Sequence, residues 1–400
     1  MRLELIKQLA IPASSKIVML IADGLGGLPR QVDGRSELEV ARIPNLDALA
    51  ARSLCGLMDM VGPGITPGSG PGHLALFGYD PYIYQIGRGV LEACGIDQEL
   101  RPSDVASRGN FCTLDGEGRV IDRRAGRIST ETCQRLCEKL DQIRLEGVEL
   151  IVRPVKEHRL VVLFRGEGLS EALSDSDPQA VGQPPLHVRP IRPDAARTAA
   201  LVNRFLEQAR GVLKDDHQAN MVLLRGFAAP PNLPLFPELF QLRAAAITCY
   251  PMYRGLAKLV GMDALPFCAD LDDELRALAA NYDRFDFFFV HYKETDRAGE
   301  DGNFDGKVTA LEELDRRIPA FLELQPDVFI LTGDHSTPAV LKGHSWHPVP
   351  VLLWSRWSHP DGVKRFTERE CGVGSLGRMR AVDLMAVTMA HALRLKKFGA

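Results

Sequence analysis

The chain has 400 residues, 45% hydrophobic and 25% charged, which is the composition of a globular protein large enough for two domains. Its 48 basic and 52 acidic residues give a formal charge of −4, which argues against binding nucleic acid or anionic membranes through bulk charge. The first fifteen residues lack the apolar core of a signal peptide, and no apolar run approaches the ~20 residues of a membrane-spanning helix. The eight cysteines form no CxxC pair and indicate free thiols in a reducing compartment. We therefore expect a soluble cytoplasmic protein.

The first 80 residues contain a buried strand, a helix and a glycine-rich loop. The apolar run 16–22 predicts a buried parallel strand, and it stops at Asp23, which glycines follow. Pro44 favours the start of a helix, because proline is tolerated in the first helical turn. We interpret 62–72 as a loop, and it carries Ser69.

The second half of the chain alternates short apolar runs with helical patterns. The strand candidates are 244–249, 285–290, 327–332 and 350–354. The helix candidates are 253–260, a helix beginning at Phe304, and 381–395. Such alternation is typical of an α/β fold built around a mostly parallel sheet.

The middle of the chain differs from both ends. It contains strand-like runs such as 160–164 between polar turns, and 178–193 is rich in proline. We therefore predict a smaller inserted α+β domain at 105–215, covering a substrate bound by a core domain made of 1–104 and 216–400.

Polar residues suited to metal binding follow several of the predicted strands. The candidates are Asp23, Asp296, Glu300, Asp334, His335 and His344. Because the carboxyl ends of parallel strands meet at one edge of a sheet, we expect these side chains to converge. Carboxylates and imidazoles suit Zn²⁺ or Mn²⁺, and there are enough of them for two ions. Each residue alone has another interpretation, since an aspartate after a strand is often a helix N-cap and a single histidine is often structural.

The glycine-rich loop that carries Ser69 does not match the sequence motif of a nucleotide-binding loop. A P-loop requires a lysine after its last glycine, and here Ser69 stands in that place. The glycines after Asp23 do not have dinucleotide-binding spacing. A serine hydroxyl beside a divalent cation loses its proton readily and attacks phosphorus, so Ser69 is a candidate nucleophile.

Ordered motifs between about residue 17 and about residue 355 resemble the archaeal-type cofactor-independent phosphoglycerate mutases of the alkaline phosphatase superfamily. The motifs are Asp23-Gly-x-Gly-Gly, Gly68-Ser69-x-x-x-His73, Gly87-Arg-Gly89, Arg108-Gly-Asn-Phe, Asp122-Arg-Arg-Ala-Gly-Arg-Ile128, Glu157-His-Arg159, Ser174-Asp-Ser-Asp-Pro178, Leu224-Arg-Gly226, Thr295-Asp-x-Ala-Gly299, Gly333-Asp-His-Ser-Thr-Pro338 and His344-Ser-x-x-Pro-Val-Pro350.

This resemblance implies an alkaline-phosphatase-like α/β/α sandwich that interconverts 3-phosphoglycerate and 2-phosphoglycerate in glycolysis and gluconeogenesis. Ser69 would take the phosphate and return it to the other hydroxyl of the glycerate. One metal ion would be held by Asp23, Ser69, Asp334 and His335, and the other by Asp296, Glu300 and His344. Manganese is expected, with zinc, magnesium or cobalt as alternatives, and 2,3-bisphosphoglycerate is not required. The substrate contacts would be Arg88, Arg124, Arg127, His158, Arg159 and Arg254.

The chain departs from the family pattern at several positions. Glu300 stands where the family usually has histidine, Arg254 where it has lysine, and Gln179 where it has histidine. Residues 70–72 are Gly-Pro-Gly in place of Asp-Thr-Ala, and His347 replaces an acidic residue. His347 is therefore an alternative metal ligand to Glu300. The alternative functions are a related phosphatase or phosphotransferase acting on another small phosphomonoester or alcohol, and a catalytically silent family member.

Overall fold

The predicted alternation of strands and helices is present in the computed structural model, which describes residues 3–399. The helices are α1 Leu3–Leu9, α2 Glu37–Val40, α3 Pro44–Ala50, α4 Ser69–Leu76, α5 Arg88–Gly95, α6 Thr130–Leu140, α7 Ala196–Leu213, α8 Phe236–Phe240, α9 Pro251–Leu259, α10 Leu271–Asn281, α11 Glu294–Glu300, α12 Phe304–Glu323, α13 Glu368–Cys371 and α14 Leu384–His391. The strands are β1 Ile17–Ala22, β2 Leu54–Asp59, β3 Asp104–Leu114, β4 Val120–Asp122, β5 Glu149–Lys156, β6 Arg159–Arg165, β7 Met221–Ala228, β8 Ala244–Thr248, β9 Asp263–Ala264, β10 Phe287–Tyr292, β11 Val328–Thr332, β12 Val349–Ser355 and β13 Gly377–Arg380.

Contacts divide the described chain into two compact units. The first unit runs to Gln85 and resumes at Leu233, and the second spans Ile86–Asn232. The predicted limits of 105 and 215 lie inside the second unit. The second unit is larger than the predicted domain because it also includes α5 and β7. Both elements lie outside the predicted limits, and both contact β3. The covering role of the second unit stays a prediction.

An eight-stranded sheet organises the first unit. Its strand order is β13-β2-β12-β11-β1-β10-β8-β9, and β12 alone runs antiparallel to both of its neighbours. The central strands β1, β10 and β11 are buried at every residue. Such near-continuous apolar runs are typical of parallel strands covered on both faces. The predicted α/β fold with a mostly parallel sheet is confirmed.

The second unit contains a separate antiparallel sheet. Its strand order is β4-β3-β6-β5, and β7 pairs with the other edge of β3. Helix α6 buries Cys133, Leu136, Cys137 and Leu140, which are spaced to form one helical face. Phe164 and Phe205 meet edge to face in the same core.

Some elements differ from the sequence prediction. Residues 62–72 were expected to form a loop throughout, but α4 begins at Ser69. The predicted helix 381–395 is shorter, because a 3-10 turn at Ala381–Asp383 precedes α14. Within residues 3–399, every helix is too short or too polar to span a bilayer.

Candidate active site

Three neighbouring parallel strands bring the candidate ligands to one edge of the large sheet. Strands β10 and β11 both pair in parallel with β1. Asp23 follows the last residue of β1, and Asp334 and His335 follow β11. Asp296 lies in α11, directly after β10. Because the carboxyl ends of these strands lie together, residues distant in sequence become neighbours.

The first group of candidate ligands consists of Asp23, Asp334 and His335. One ligand atom from each lies within 4.8 Å of the others, and all three side chains are buried. His335 Nε2 is 3.3 Å from Asp23 Oδ1 and 3.2 Å from Asp334 Oδ2. Ser69 Oγ lies 3.2 Å from the same His335 nitrogen. The structure therefore brings together the four residues expected to hold one ion.

Helix α4 places Ser69 at its first residue, beside this group. Glycine at 72 is required there, because a Cβ atom would lie 2.1 Å from the carbonyl oxygen of Asp334. His73 Nδ1 is 2.8 Å from the carbonyl oxygen of Ser69 and also contacts Asp334 Oδ2 at 3.2 Å. The free backbone N–H groups at a helix N-terminus favour bound anions such as phosphate. Ser69 is thus a hydroxyl at a site suited to both a cation and an anion.

The second group consists of Asp296, His335 and His344, whose ligand atoms also lie within 4.8 Å of one another. His344 Nε2 is 3.7 Å from Asp296 Oδ1 and 3.7 Å from Glu300 Oε1. Helix α11 carries Asp296 and Glu300 one turn apart, as their spacing indicated. The two groups share His335, whose ring stacks on that of His344 with centroids 3.6 Å apart.

Glu300 and His347 occupy different surroundings in this region. The Glu300 side chain is 56% exposed and approaches His344 from the solvent side of the second group. His347 Nδ1 is 3.1 Å from Ser345 Oγ, and its ring stacks on Trp346. These contacts favour Glu300 over His347 as the residue that completes the second group.

Lys293 and Tyr253 also belong to this site, although neither was predicted from the sequence to have a role. Lys293 Nζ donates hydrogen bonds to Asp23 Oδ2 at 2.8 Å and to Asp296 Oδ2 at 2.6 Å. The Tyr253 hydroxyl donates to Asp23 Oδ2 and accepts from Lys293, and its ring stacks on His291. The available signal was the position of Lys293 at the end of a buried strand, three residues before Asp296.

The site concentrates buried negative charge. Burial and the neighbouring Asp23 raise the pKa of Asp334 to about 7, and the same two causes raise the pKa of Asp296. Burial alone would raise the pKa of Asp23, but His291, Lys293 and His335 outweigh burial and hold it well below its ordinary value. Burial lowers the pKa of His335 to about 4, so the imidazole is neutral and able to act as a ligand.

Two carboxylate oxygens in this site lack a hydrogen-bond donor. Asp23 Oδ1 and Asp334 Oδ2 are buried, and neither receives a hydrogen bond of acceptable geometry. Buried polar atoms are otherwise almost always satisfied, so two such oxygens beside a neutral imidazole suit a cation. Carboxylate, imidazole and hydroxyl donors fit a divalent ion such as Mn²⁺ or Zn²⁺.

A cluster of basic side chains lies in the second unit. Arg108 and His158 are both buried. Burial and the nearby Arg88, Arg159 and Arg225 together lower the pKa of Arg108 to about 10, against the opposing effect of Glu92. Burial lowers the pKa of His158 to about 4, with contributions from Arg159 and other arginines.

Four of the six predicted substrate contacts belong to this cluster: Arg88, Arg124, His158 and Arg159. Arg108 and Arg225 are additional members that were not predicted to contact the substrate, although both lie in motifs shared with the mutase family. Arg127 is exposed and has a positive φ of 53° in a turn.

Arg254 belongs to the first unit, where it makes structural contacts. Its guanidinium donates a hydrogen bond to the carbonyl oxygen of Leu265 and lies 4.8 Å from the centroid of the Phe267 ring. Substrate binding by Arg254 and the other five residues stays a prediction.

Comparisons with known proteins point to one family. Residues 50–220 match the family model described as 2,3-bisphosphoglycerate-independent phosphoglycerate mutase. A probable enzyme of that name from Thermus thermophilus is 51% identical over 400 residues, covering 99% of this chain and 98% of the relative. Its counterpart from Aquifex aeolicus is 48% identical over 408 residues, covering 100% of both chains.

Solved structures show the same similarity. A Pyrococcus horikoshii protein superposes with a TM-score of 0.84 at 29% identity, covering 97% of this chain and 100% of that one. The cofactor-independent phosphoglycerate mutase of Thermoplasma acidophilum superposes with a TM-score of 0.71 at 29% identity, covering 94% of this chain and 100% of that one. This chain belongs to the family of 2,3-bisphosphoglycerate-independent phosphoglycerate mutases.

Proposed function

We propose that this chain interconverts 3-phosphoglycerate and 2-phosphoglycerate through a phosphoserine at Ser69, with two divalent metal ions and without 2,3-bisphosphoglycerate. As a member of its family it is an isomerase. The observation that carries the mechanism is the position of Ser69 Oγ, 3.2 Å from Nε2 of His335, a residue that belongs to both groups of candidate ligands. A cytoplasmic location stays a prediction.

The residues fit two metal ions, with manganese as the expected metal. Asp23, Asp334 and His335 together with Ser69 would hold one ion, and Asp296 and His344 together with Glu300 would hold the other. Bound divalent ions would lower the pKa of the Ser69 hydroxyl and offset the charge of the phosphoryl group.

Ser69 carries the phosphoryl group between the two hydroxyls of one glycerate. In the first half-reaction, a bond forms between Ser69 Oγ and phosphorus while the bond from phosphorus to the substrate oxygen breaks. The serine gives up its proton and the departing alkoxide gains one, so that bound glycerate is the intermediate. In the second half-reaction, the other hydroxyl of glycerate gives up its proton and attacks phosphorus, and Ser69 Oγ leaves and regains a proton. The backbone N–H groups that begin α4 are nearby donors for the transferred group.

Retention of glycerate between the two half-reactions is what distinguishes a mutase from a phosphatase. Arginine suits this task, because its planar guanidinium pairs with a carboxylate or a phosphate through two hydrogen bonds. The basic cluster of the second unit supports this assignment, since Arg88, Arg159 and Arg225 all lie close enough to Arg108 to lower its pKa, whereas Glu92, 3.2 Å from Arg108, opposes them. We assign substrate binding to Arg88, Arg124, Arg127, His158, Arg159 and Arg254.

Replacement of the nucleophile tests the proposal. In manganese-replete protein, Ser69→Ala should lower the rate of 2-phosphoglycerate formation from 3-phosphoglycerate by at least about a thousandfold, because no other hydroxyl replaces the nucleophile. Thr66→Ala is the matched control, since it removes an exposed hydroxyl from the same segment and should leave the rate unchanged.

The readouts are product formation in an enolase-coupled assay and acid-stable phosphate on the protein. Substantial turnover by Ser69→Ala, or phosphate trapped on another residue, would contradict the phosphoserine mechanism. Release of inorganic phosphate by the wild-type protein, without formation of 2-phosphoglycerate, would identify a phosphatase and contradict the mutase assignment.

A further inference from the structure

Lys307, in the first turn of α12, is a fully buried lysine that lies outside both groups of candidate ligands. Its side chain has 0% exposure. The ammonium donates hydrogen bonds to three backbone carbonyl oxygens, those of Gly24 at 2.8 Å, Gly26 at 3.0 Å and Thr337 at 2.9 Å. An ammonium has three N–H donors, so each one has a partner.

The three carbonyls belong to the two segments that carry candidate metal ligands. Gly24 directly follows Asp23, and its N–H donates to Asp334 Oδ1 at 3.2 Å. The Thr337 hydroxyl donates to Asp296 Oδ1 at 2.7 Å and lies 2.9 Å from His335 Nδ1. Lys307 therefore joins the segment after β1 to the segment after β11, behind the residues of both groups.

Two carboxylates, the buried Glu37 and the half-buried Glu368, extend the same scaffold. Glu37 accepts hydrogen bonds from the backbone N–H groups of Ala339 at 2.8 Å and Leu28 at 3.2 Å. Glu368 accepts from the N–H of Gly27 at 2.8 Å and from the Ser36 hydroxyl at 2.6 Å. The carbonyl and N–H groups of these two segments are thus held by side chains of opposite charge, which keeps both segments in one arrangement.

We propose that Lys307 is a positioning residue that sets the spacing between the Asp23 segment and the Asp334–Thr337 segment, and thereby the affinity of both proposed metal sites. The inference rests on the proposed function, because it concerns the same ligands. Residues that hold metal ligands in place typically contribute about 10–100-fold to metal affinity.

The charge of Lys307 and its positioning contacts would affect manganese affinity in opposite directions. The positive charge of Lys307 interacts with Asp23 and Asp296, so by itself it opposes the binding of a cation to them. If only charge matters, Lys307→Met strengthens manganese binding. If position matters, the same substitution releases three carbonyls and weakens binding despite the removal of a repulsive charge.

The test is a calorimetric titration of the full-length, metal-free chain with MnCl₂. We expect Lys307→Met to bind manganese at least tenfold more weakly than the wild type. Lys307→Arg should not restore affinity, because a planar guanidinium cannot replace an ammonium that donates to three converging carbonyls. Lys364→Met removes the same charge from an exposed position and should bind like the wild type.

Manganese binding by Lys307→Met that equals or exceeds that of the wild type overturns the positioning role alone. Failure of the wild type to bind two ions overturns the proposed metal sites and this inference with them. If Lys307→Met does not fold, Glu37→Gln takes its place, since the amide keeps the side-chain size but loses one of the two acceptors. Several-fold weaker binding by Glu37→Gln then supports the proposal, and wild-type binding overturns it.

Discussion

Replacement of Glu300 by glutamine should change both the acidity of His344 and the affinity for one metal ion. Glu300 Oε1 lies 3.7 Å from His344 Nε2. Opposite unit charges at about 4 Å attract by about 1 kcal/mol in water and by about 4 kcal/mol at an effective dielectric constant of 20. Because the Glu300 side chain is 56% exposed, we take the lower value, about 1 kcal/mol.

In the metal-free protein, that energy corresponds to a shift in the pKa of His344. Burial lowers the pKa of His344, but contacts led by Glu300 outweigh it and raise the pKa to about 9. One pKa unit corresponds to about 1.4 kcal/mol, so Glu300→Gln should lower the pKa of His344 by somewhat less than one unit. In the metal-loaded protein, the neutral amide is a poorer donor than a carboxylate, so one of two manganese ions should bind about tenfold more weakly.

The pKa is measured by NMR titration of the imidazole nitrogens in metal-free protein, and affinity by manganese titration. Glu294→Gln is the control, because it makes the same change on the exposed side of α11, where Glu294 pairs with Arg297. An unchanged pKa of His344 together with unchanged manganese binding would refute the assignment of Glu300. Loss of one ion in His347→Ala but not in Glu300→Gln would identify His347 as the ligand instead.

Two further predictions concern the first group of ligands. Tyr253→Phe removes a buried hydroxyl that bonds to Asp23 and Lys293, and should cost about 1–3 kcal/mol of unfolding free energy in urea and weaken manganese binding. Tyr79→Phe is the control: it removes a buried hydroxyl bonded to a backbone carbonyl and should lower stability without altering manganese binding. Equal effects of Tyr253→Phe and Tyr79→Phe on manganese binding would contradict the role of Tyr253. In metal-free protein, the wild type should lose up to about 4 kcal/mol of unfolding free energy between pH 4 and pH 7, because the folded state keeps a proton on Asp334 that the unfolded chain has lost. Asp334→Asn lacks this group, so its stability relative to the wild type should rise by the same amount over that range. A pH-independent difference in denaturation midpoints would show that the pKa of Asp334 is not raised.

Several elements were predictable because the local pattern and the fold agree. The run 327–332 was predicted as a strand and forms β11, and Phe304 begins a helix as expected. The strand run is apolar enough, and the helix is long and periodic enough, to be recognised without tertiary context. Strands β2 and β13 were not predicted. Strand β13 alternates half-buried and exposed residues, and the short turn 51–53 before β2 contains neither glycine nor proline to mark it in the sequence.

The helix that begins at Ser69 could not be predicted from its composition. Its first turn contains two glycines and a proline, which favour a loop when judged locally. Contact with the backbone of Asp334 decides its position, because only glycine at 72 permits the close approach. Tertiary packing overrides local preference at this position.

The sequence alone determined that Asp23, Asp296 and Asp334 follow buried strands, because apolar runs and the polar residues that end them are local features. It did not determine the order of those strands, which depends on pairing between segments hundreds of residues apart. Only the tertiary structure placed β1 between β10 and β11, and so put His335 within reach of both groups and Lys293 between Asp23 and Asp296. The types of ligand residue could therefore be predicted from the sequence. Their grouping around Ser69 could not, because it arises from the parallel pairing that brings the strand ends to one edge of the sheet.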